Sequence, residues 1–291
     1  MHPAASLILF TVLSGLGFGM LAFLGLGKPD VSGFTAFVFF AIAYALAVIG
    51  LASSAFHLGN PQRALKAFTQ WRSSWLSREA CLSVAALVTT GFYAIGVIFF
   101  DTRLAFLGLV GSSLSILTVF ATSMIYAQLK TVPRWNQWTT PLLFIAYSMT
   151  GGAFLSAQMG LLVWLFPILA ALQIFAWMQG DQQFAKSGST IESATGLGFI
   201  GSTRAFEAPH TSGNYLTHEM IHKVGRKHAA KLRILALAGL AIVPWLLLVI
   251  APFSHILIAI GLLIHLGGVL AARWLFFAQA EHTVGLYYGQ R

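Results

Sequence analysis

Eight long apolar segments run through this chain and restrict it to folds that can exist inside a lipid bilayer. A membrane-crossing helix needs about 20 consecutive apolar residues, and only 9% of this sequence is charged. No stretch alternates polar and apolar residues with the period of a β-strand. We therefore predict an all-α, polytopic membrane helix bundle with eight transmembrane helices, forming one integral membrane domain over residues 1–291. The predicted crossings are residues 5–27, 33–56, 80–100, 104–129, 138–156, 160–180, 232–252 and 254–277.

The region 138–180 decides the number of crossings. It contains no Lys, Arg, Asp or Glu, and it is too long for a single span. A predicted turn over residues 157–160 divides it into two helices. With seven crossings instead of eight, the C-terminus would lie on the opposite side of the membrane.

The positive charges give this topology an orientation. Eight crossings place both termini and the connections 57–79, 130–137 and 181–231 on one side. All of the 17 Lys and Arg residues except Lys28 and Arg103 then lie on that side. The positive-inside rule makes that side cytoplasmic, which predicts a multi-pass protein of the bacterial inner membrane. The net charge of +9 reflects this topology, so we expect lipid and no nucleic acid as a partner.

Metal-binding residues are scarce in this sequence. Cys81 is the only cysteine, and one thiol cannot hold an iron–sulfur cluster. His255 and His265 lie about three turns apart on the last span and cannot clamp one haem between them. We therefore expect no metal, haem or iron–sulfur cluster in this chain, although a haem between His57 and His265 is a weaker alternative. His265 is a candidate intramembrane proton group or a hydrogen-bonded packing residue.

Polar residues concentrate in the connection between the second and third spans, which reads FHLGNPQRALKAFTQWRSSWLSRE. His57 lies where the second span ends and Glu79 where the third begins, so both are expected at one membrane interface. Asn60 followed by Pro61 is typical of a helix start. Apolar residues alternating with cations over 63–72 predict a short interfacial amphipathic helix between them.

Together these side chains form what a quinone requires: hydrogen-bond donors, an acid/base group and an apolar slot for the isoprenoid tail. The candidate residues are His57 and Glu79, with Arg78, Ser77 and Arg63 added by position alone. A structural alternative is that His57 caps helix-terminal carbonyls while the dipole of the third span stabilises Glu79.

Three segments of this sequence resemble one family. They read HLGNPQRALKAFTQWRSSWLSRE, MIYAQLKTVPRWNQWTTPL and ARWLFFAQAEHTVGLYY, and they are similar to the membrane-anchor subunit of dimethyl sulfoxide reductase and the related anchor of membrane-bound sulfite dehydrogenase. The resemblance implies an eight-helix chain that anchors a molybdopterin catalytic subunit and an iron–sulfur subunit with four clusters. It also implies electron exchange with the quinone pool, menaquinone or ubiquinone. The functional His and Glu of the family match His57 and Glu79.

The long connection 181–231 predicts a partner surface. It exceeds the usual length of a connection and ends in a basic segment. A solvated loop with a basic flank is the alternative. The candidate docking residues are Lys130, Arg134, Trp135, Lys223, Arg226 and Lys227.

Two questions stay open at the level of sequence. Sulfite oxidation and the reduction of dimethyl sulfoxide or another S- or N-oxide require the same quinone pocket, although the segment TVPRWNQW favours the sulfite-oxidising relatives. A proton-coupled polytopic transporter and a purely structural anchor without a redox site are the alternatives to a quinone-reactive subunit. The transporter is disfavoured because the sequence shows no broken paired helices.

Overall fold

The computed structural model describes residues 2–56, 60–207, 210–221, 228–251 and 254–289, and these residues form helices and no strands. The long helices are α1 (Ala5–Gly25), α2 (Gly33–Ala55), α3 (Trp75–Phe99), α4 (Ala105–Ala127), α5 (Thr139–Leu155) and α6 (Met159–Lys186). After a short α7 (Ile191–Thr195), the chain continues through α8 (Ala229–Leu237), a π-helical turn (Ala238–Ile242), α9 (Val243–Ile250) and α10 (His255–Ala278). Shorter elements are 3-10 helices at Pro61–Phe68 and Thr283–Tyr288 and a π-helical segment at Leu216–Met220.

Each of the eight predicted spans coincides with a helix in the described residues, and seven of these helices are long and apolar enough to cross a membrane. Those seven are α1, α2, α3, α4, α6, the continuous helix Ala229–Ile250 and α10. The remaining helix, α5, has 17 residues and is about 25 Å long at 1.5 Å per residue. The all-helical class is therefore confirmed, and the eighth crossing stays a prediction.

The ends of two helices differ from the predicted ones. The third span begins at Trp75 instead of residue 80, because the Ser74 hydroxyl accepts a hydrogen bond from the Ser77 amide (3.4 Å) and caps the helix. Helix α6 continues to Lys186, so the first residues of the predicted loop 181–231 are helical. Arg134 and Arg233 both bind the Asp181 carboxylate and hold this last turn of α6 against its neighbours.

The turn predicted within 157–160 is present. Helix α5 ends at Leu155 and α6 begins at Met159. Between them Ala157 adopts a left-handed backbone with φ of 57°, which reverses the direction of the chain. The apolar region 138–180 therefore forms two antiparallel helices that pack on each other.

Helix α1 lies at the centre of the bundle and packs against α2, α4, α5 and α10. Small residues allow this close packing. A Cβ atom on Gly17 would lie 2.3 Å from the Ala47 amide nitrogen, and one on Gly19 would lie 2.0 Å from the Ser148 carbonyl oxygen. Backbone contacts of this kind between helices are typical of membrane bundles.

Polar side chains collect near one end of the bundle, where α3 and α5 begin and α4, α6 and α10 end. We call it the Glu79 end, after the carboxylate that lies there. At the opposite end, Arg103 forms an ion pair with Asp30. The candidate site described below lies at the Glu79 end.

Cysteine labelling would test the eighth crossing. In a Cys81→Ser background, Thr131→Cys and Gly160→Cys flank α5, and both positions are exposed. If α5 crosses the bilayer, an impermeant thiol reagent added to sealed vesicles is expected to modify one cysteine and spare the other, with the pattern reversed in inverted vesicles. Thr102→Cys should behave like Gly160→Cys. Identical labelling of the two cysteines flanking α5 would reduce the count to seven.

Candidate functional site

Glu79 is a buried carboxylate within α3, one of the helices long and apolar enough to cross a membrane. It lies in the first turns of α3 and is 4% exposed. Its Oε1 lies 2.5 Å from the Thr122 Oγ1 near the end of α4. On the same pair of helices, the Trp75 and Phe120 rings pack edge to face with centroids 5.8 Å apart. Because burying a carboxylate in a membrane is costly, such a residue is by default a candidate functional group.

Thr122 can form a hydrogen bond with Glu79 in both protonation states of the carboxyl group. Its hydroxyl oxygen also lies 3.0 Å from the Thr118 carbonyl oxygen. An ionised Glu79 accepts the hydroxyl proton of Thr122, because a carboxylate can only accept. A protonated Glu79 can donate to the Thr122 oxygen, while the hydroxyl turns its own proton to Thr118. The hydrogen bond between Glu79 and Thr122 therefore survives the gain or loss of a proton.

His57 lies outside the described residues, so its predicted meeting with Glu79 stays a prediction. The connection that follows it is described from Asn60. Pro61 opens the predicted interfacial helix, which is a 3-10 helix ending at Phe68, and the Asn60 side chain does not cap it. The Asn60 carbonyl accepts a hydrogen bond from the Arg63 amide (3.0 Å) instead.

The segment 61–72 is amphipathic, as its sequence indicates. Leu65, Phe68 and Trp71 are exposed large apolar side chains, and they alternate with Arg63, Lys66 and Arg72. Apolar side chains beside cations suit the boundary between headgroups and acyl chains.

Arg78 holds this connection in place. Its Nε donates to the Trp71 carbonyl (3.0 Å) and its Nη2 to the Arg72 carbonyl (2.7 Å). The guanidinium carbon lies 4.3 Å from the centroid of the Trp75 ring. Arg78 is therefore engaged with backbone carbonyls and an aromatic face, and its described contacts do not include the Glu79 carboxylate.

The described contacts of the other two residues added by position do not include that carboxylate either, and their part in the site stays a prediction. Ser77 is buried and its amide nitrogen is held by Ser74. Arg63 is exposed on the 3-10 helix. Within the described part of the chain, the side chain hydrogen-bonded to Glu79 is Thr122.

Arg273 is a polar residue of the bundle whose predicted position is wrong. The positive-inside prediction includes Arg273 among the cations at the membrane surface, yet Arg273 lies inside α10 and is 2% exposed. The signal was available, because the predicted span 254–277 contains it. Thr11, Thr122 and Tyr147 line the same small cavity as Arg273, so a layer of polar groups crosses the bundle at this level.

The predicted docking residues differ in their surroundings. Lys130 is exposed. Arg134 forms an ion pair with Asp181 at 2.6 Å, and burial lowers the pKa of its guanidinium. Trp135 is buried, donates from Nε1 to the Phe276 carbonyl (2.9 Å) and stacks on the Phe276 ring. In the described structure Trp135 is thus a packing residue, and its part in partner docking stays a prediction. Lys223, Arg226 and Lys227 lie outside the described residues.

His265 fastens α10 to the helix before it. The side chain is fully buried, and its Nδ1 lies 2.6 Å from the Leu240 carbonyl oxygen in the π-helical turn. Its Nε2 has no hydrogen-bond partner in the described structure, and the ring packs against Phe154 and Phe166. This geometry explains His265 as a packing residue, and a role in proton transfer stays a prediction. The residues described contain no cluster of three or more His, Cys, Asp or Glu that could hold a metal.

Fold and site together define a class: a multi-pass membrane protein with a buried, hydroxyl-bonded carboxylate at one end of its helix bundle. The family model described as DMSO reductase anchor subunit (DmsC) matches residues 1–288, and the chain belongs to this family. It is similar to a sulfite dehydrogenase subunit of Allochromatium vinosum, with 28% identity over 325 aligned positions that cover 99% of each chain. No solved structure matches the chain. The protein is thus the membrane anchor of a molybdoenzyme complex with catalytic and electron-transfer subunits.

Proposed function

We propose that this anchor is also the quinone-reactive subunit of its complex, in the inner membrane of a bacterium. It would pass electrons between the quinone pool and a partner iron–sulfur subunit with four clusters, which serves a molybdopterin catalytic subunit. The observation that carries the proposal is the Glu79–Thr122 pair, a buried acid/base group at one end of a membrane bundle. A merely mechanical anchor has no need for a carboxylate in this position.

The proton chemistry of quinones fits this pair. Oxidation of a quinol to a quinone releases two electrons and two protons, and the reverse reaction takes them up. A side chain that accepts or donates a proton near the reacting oxygen lowers the barrier to such transfers. Glu79 can perform either step, because its hydrogen bond to Thr122 is available to both protonation states. His57 is proposed as a second group at the quinone oxygens on the strength of the resemblance.

The surroundings of α3 suit a lipid-soluble substrate. Leu65, Phe68 and Trp71 expose apolar surface before α3 begins, and Val84 and Val88 continue it along the helix. An isoprenoid tail could lie against this surface while the polar ring approaches the boundary at Glu79. Menaquinone and ubiquinone share the two ring oxygens and the tail on which this fit depends.

Partner docking is proposed for the Glu79 end. Electron transfer to an iron–sulfur subunit requires that subunit to dock near the quinone, and Lys130 and the basic residues of the long connection lie on this side by prediction. We propose sulfite oxidation as the reaction of the complex because the curated relative is part of a sulfite dehydrogenase. Reduction of an S- or N-oxide is the alternative that the family description favours.

Electron transfer in membranes that contain the assembled complex tests the proposal. A water-soluble dye reports on the catalytic and iron–sulfur subunits alone, whereas a quinone or quinol also requires the anchor. A headgroup analogue of quinone is expected to inhibit the quinone-linked rate and leave the dye-linked rate unchanged. Absence of any quinone-linked rate in a complex with full dye activity would identify the chain as a structural anchor. Running the assay with sulfite and with dimethyl sulfoxide also distinguishes the two reactions.

A further inference from the structure

Arg273 is a buried cation whose contacts are unusual. Its guanidinium carbon lies 3.6 Å from the ring centroid of Phe144, 4.6 Å from that of Tyr147 and 5.7 Å from that of Phe276. Its Nε has no hydrogen-bond partner in the described structure. Aromatic faces attract a cation, but they leave its N–H donors unsatisfied, and burying an uncompensated charge is costly. This side chain therefore requires further polar partners.

A small inner cavity supplies acceptors for those donors. Its volume is about 10 Å³, which is room for a single water molecule. Three hydroxyls in its lining already donate to backbone carbonyls: Thr11 to Leu7, Ser14 to Phe10 and Ser148 to Gly15. Their oxygens remain available only as acceptors. The cavity is therefore suited to a water molecule that receives a hydrogen bond from Arg273.

Thr122 connects this cavity to Glu79. Arg273 and Thr122 both line it, and the Thr122 hydroxyl is the hydrogen-bond partner of Glu79. Tyr126 on α4 lies within electrostatic range of both Glu79 and Arg273. The buried acid is thus connected by one hydroxyl to a cavity that the buried cation lines and that has room for one water molecule.

Arg273 also lines a second cavity, which has a volume of about 40 Å³ and is lined by Gln137, Gln173 and Gln279 as well. The Gln137 Oε1 is buried and has no hydrogen-bond partner among the described residues, and unpartnered polar atoms facing such a space indicate bound water. Gln279 accepts a hydrogen bond from the Arg233 Nε (3.3 Å). Water in this cavity could therefore satisfy donors of Arg273, while the first cavity connects Arg273 to Thr122.

The geometry points to Arg273 as the buried counter-charge of Glu79: a positioning residue that acts through Thr122 and a water molecule to stabilise the carboxylate after it has released its proton. The inference rests on the proposed role of Glu79 in quinone chemistry. Besides Arg273, the titratable groups facing this layer in the described structure are Tyr126 and Tyr147. Both are neutral as phenols, and Arg78 is engaged by the Trp71 and Arg72 carbonyls. Arg273 is thus the cation that is connected to Glu79 through Thr122 and the cavity that Thr122 and Arg273 both line.

Infrared spectroscopy of the purified complex tests this without depending on turnover. The carboxylic C=O band that disappears in Glu79→Gln reports the protonated form of Glu79. At neutral pH, Arg273→Met is expected to raise the ratio of protonated to ionised Glu79 roughly tenfold, equivalent to about 1.4 kcal/mol. Arg273→Lys keeps the charge and should return the band towards that of the wild type. Thr90→Val removes a different buried hydroxyl, one that bonds to Tyr44, and should leave the band unchanged.

The outcomes separate this inference from the proposed function. An unchanged Glu79 band in a folded Arg273→Met complex would overturn the inference, even if Glu79→Gln abolished quinone turnover. A changed Glu79 band in Arg273→Met, combined with full quinone turnover in Glu79→Gln, would reject the quinone role of Glu79 and leave the charge pairing intact. If Arg273→Met fails to assemble, Arg273→Gln decides the matter, because it keeps N–H donors but removes the charge, and the loss of the charge must also raise the protonated fraction of Glu79. An unaltered band in Arg273→Gln would contradict the inference.

Discussion

Glu79→Gln is expected to lower the quinone-linked rate by roughly 10²- to 10⁴-fold, the range typical of a lost general acid/base group. Glutamine has nearly the same shape and can still bond to the Thr122 hydroxyl, which lies 2.5 Å from the Glu79 carboxylate. It cannot gain or release a proton under these conditions. The expected loss is therefore chemical, and packing between α3 and α4 should be preserved.

The measurement compares quinone-linked and dye-linked rates in the same membranes. The dye-linked rate should stay at the wild-type level, because the variant leaves the partner subunits untouched. Asp101→Asn is a matched control: Asp101 is an exposed carboxylate in the turn between α3 and α4, at the end opposite Glu79, and the same kind of exchange there should change neither rate. A fall in both rates for Glu79→Gln would point to defective assembly. A full quinone-linked rate would assign Glu79 to helix packing.

Gly268→Ala is expected to have a large effect on the bundle itself. A Cβ atom at residue 268 would lie 2.0 Å from the Leu240 amide nitrogen and 2.3 Å from the Gly239 carbonyl carbon. Both atoms belong to the backbone of the π-helical turn, so neither can yield without moving the whole helix. The displacement would also break the hydrogen bond from His265 to the Leu240 carbonyl. Overpacking in a tight core costs about 1–3 kcal/mol and occasionally more.

The neighbouring glycine provides the control. A Cβ atom on Gly267 would meet nothing within 4 Å, and alanine is favoured over glycine within a helix by about 1 kcal/mol. Gly267→Ala should therefore match or exceed the wild type in thermal stability in detergent, whereas Gly268→Ala should unfold at lower temperature and accumulate poorly in membranes. Equal melting temperatures for the two variants would show that α10 does not approach the π-helical turn this closely.

The helices could be predicted from the sequence because a bilayer leaves few choices. Backbone groups in the hydrocarbon core must be satisfied internally, so each apolar segment of sufficient length becomes a helix. The turn within 157–160 followed from the length of the region alone. The start of α3 was placed five residues late, because the cap at Ser74 is a local hydrogen bond that hydrophobicity does not reveal.

The candidate site was only partly predictable. Glu79 could be selected because a carboxylate at the start of an apolar span is rare and costly. Arg78 and Trp135 were assigned by position, and the structure shows them bound to backbone carbonyls and packed among aromatic rings. Arg273 was overlooked because a cation near the end of a span usually reaches the membrane surface.

By itself, the sequence determined that the chain is an all-helical membrane protein with an acid near one end of a span, since bilayer thickness and the cost of buried charge act on local sequence. Only the tertiary structure decided which groups meet. Thr122 bonds to Glu79 across 43 positions, and Arg273 faces the same layer from the last helix. These contacts depend on how each helix is rotated about its axis. That rotation is set by close packing at residues such as Gly19 and Gly268, whose partners lie on helices distant in sequence.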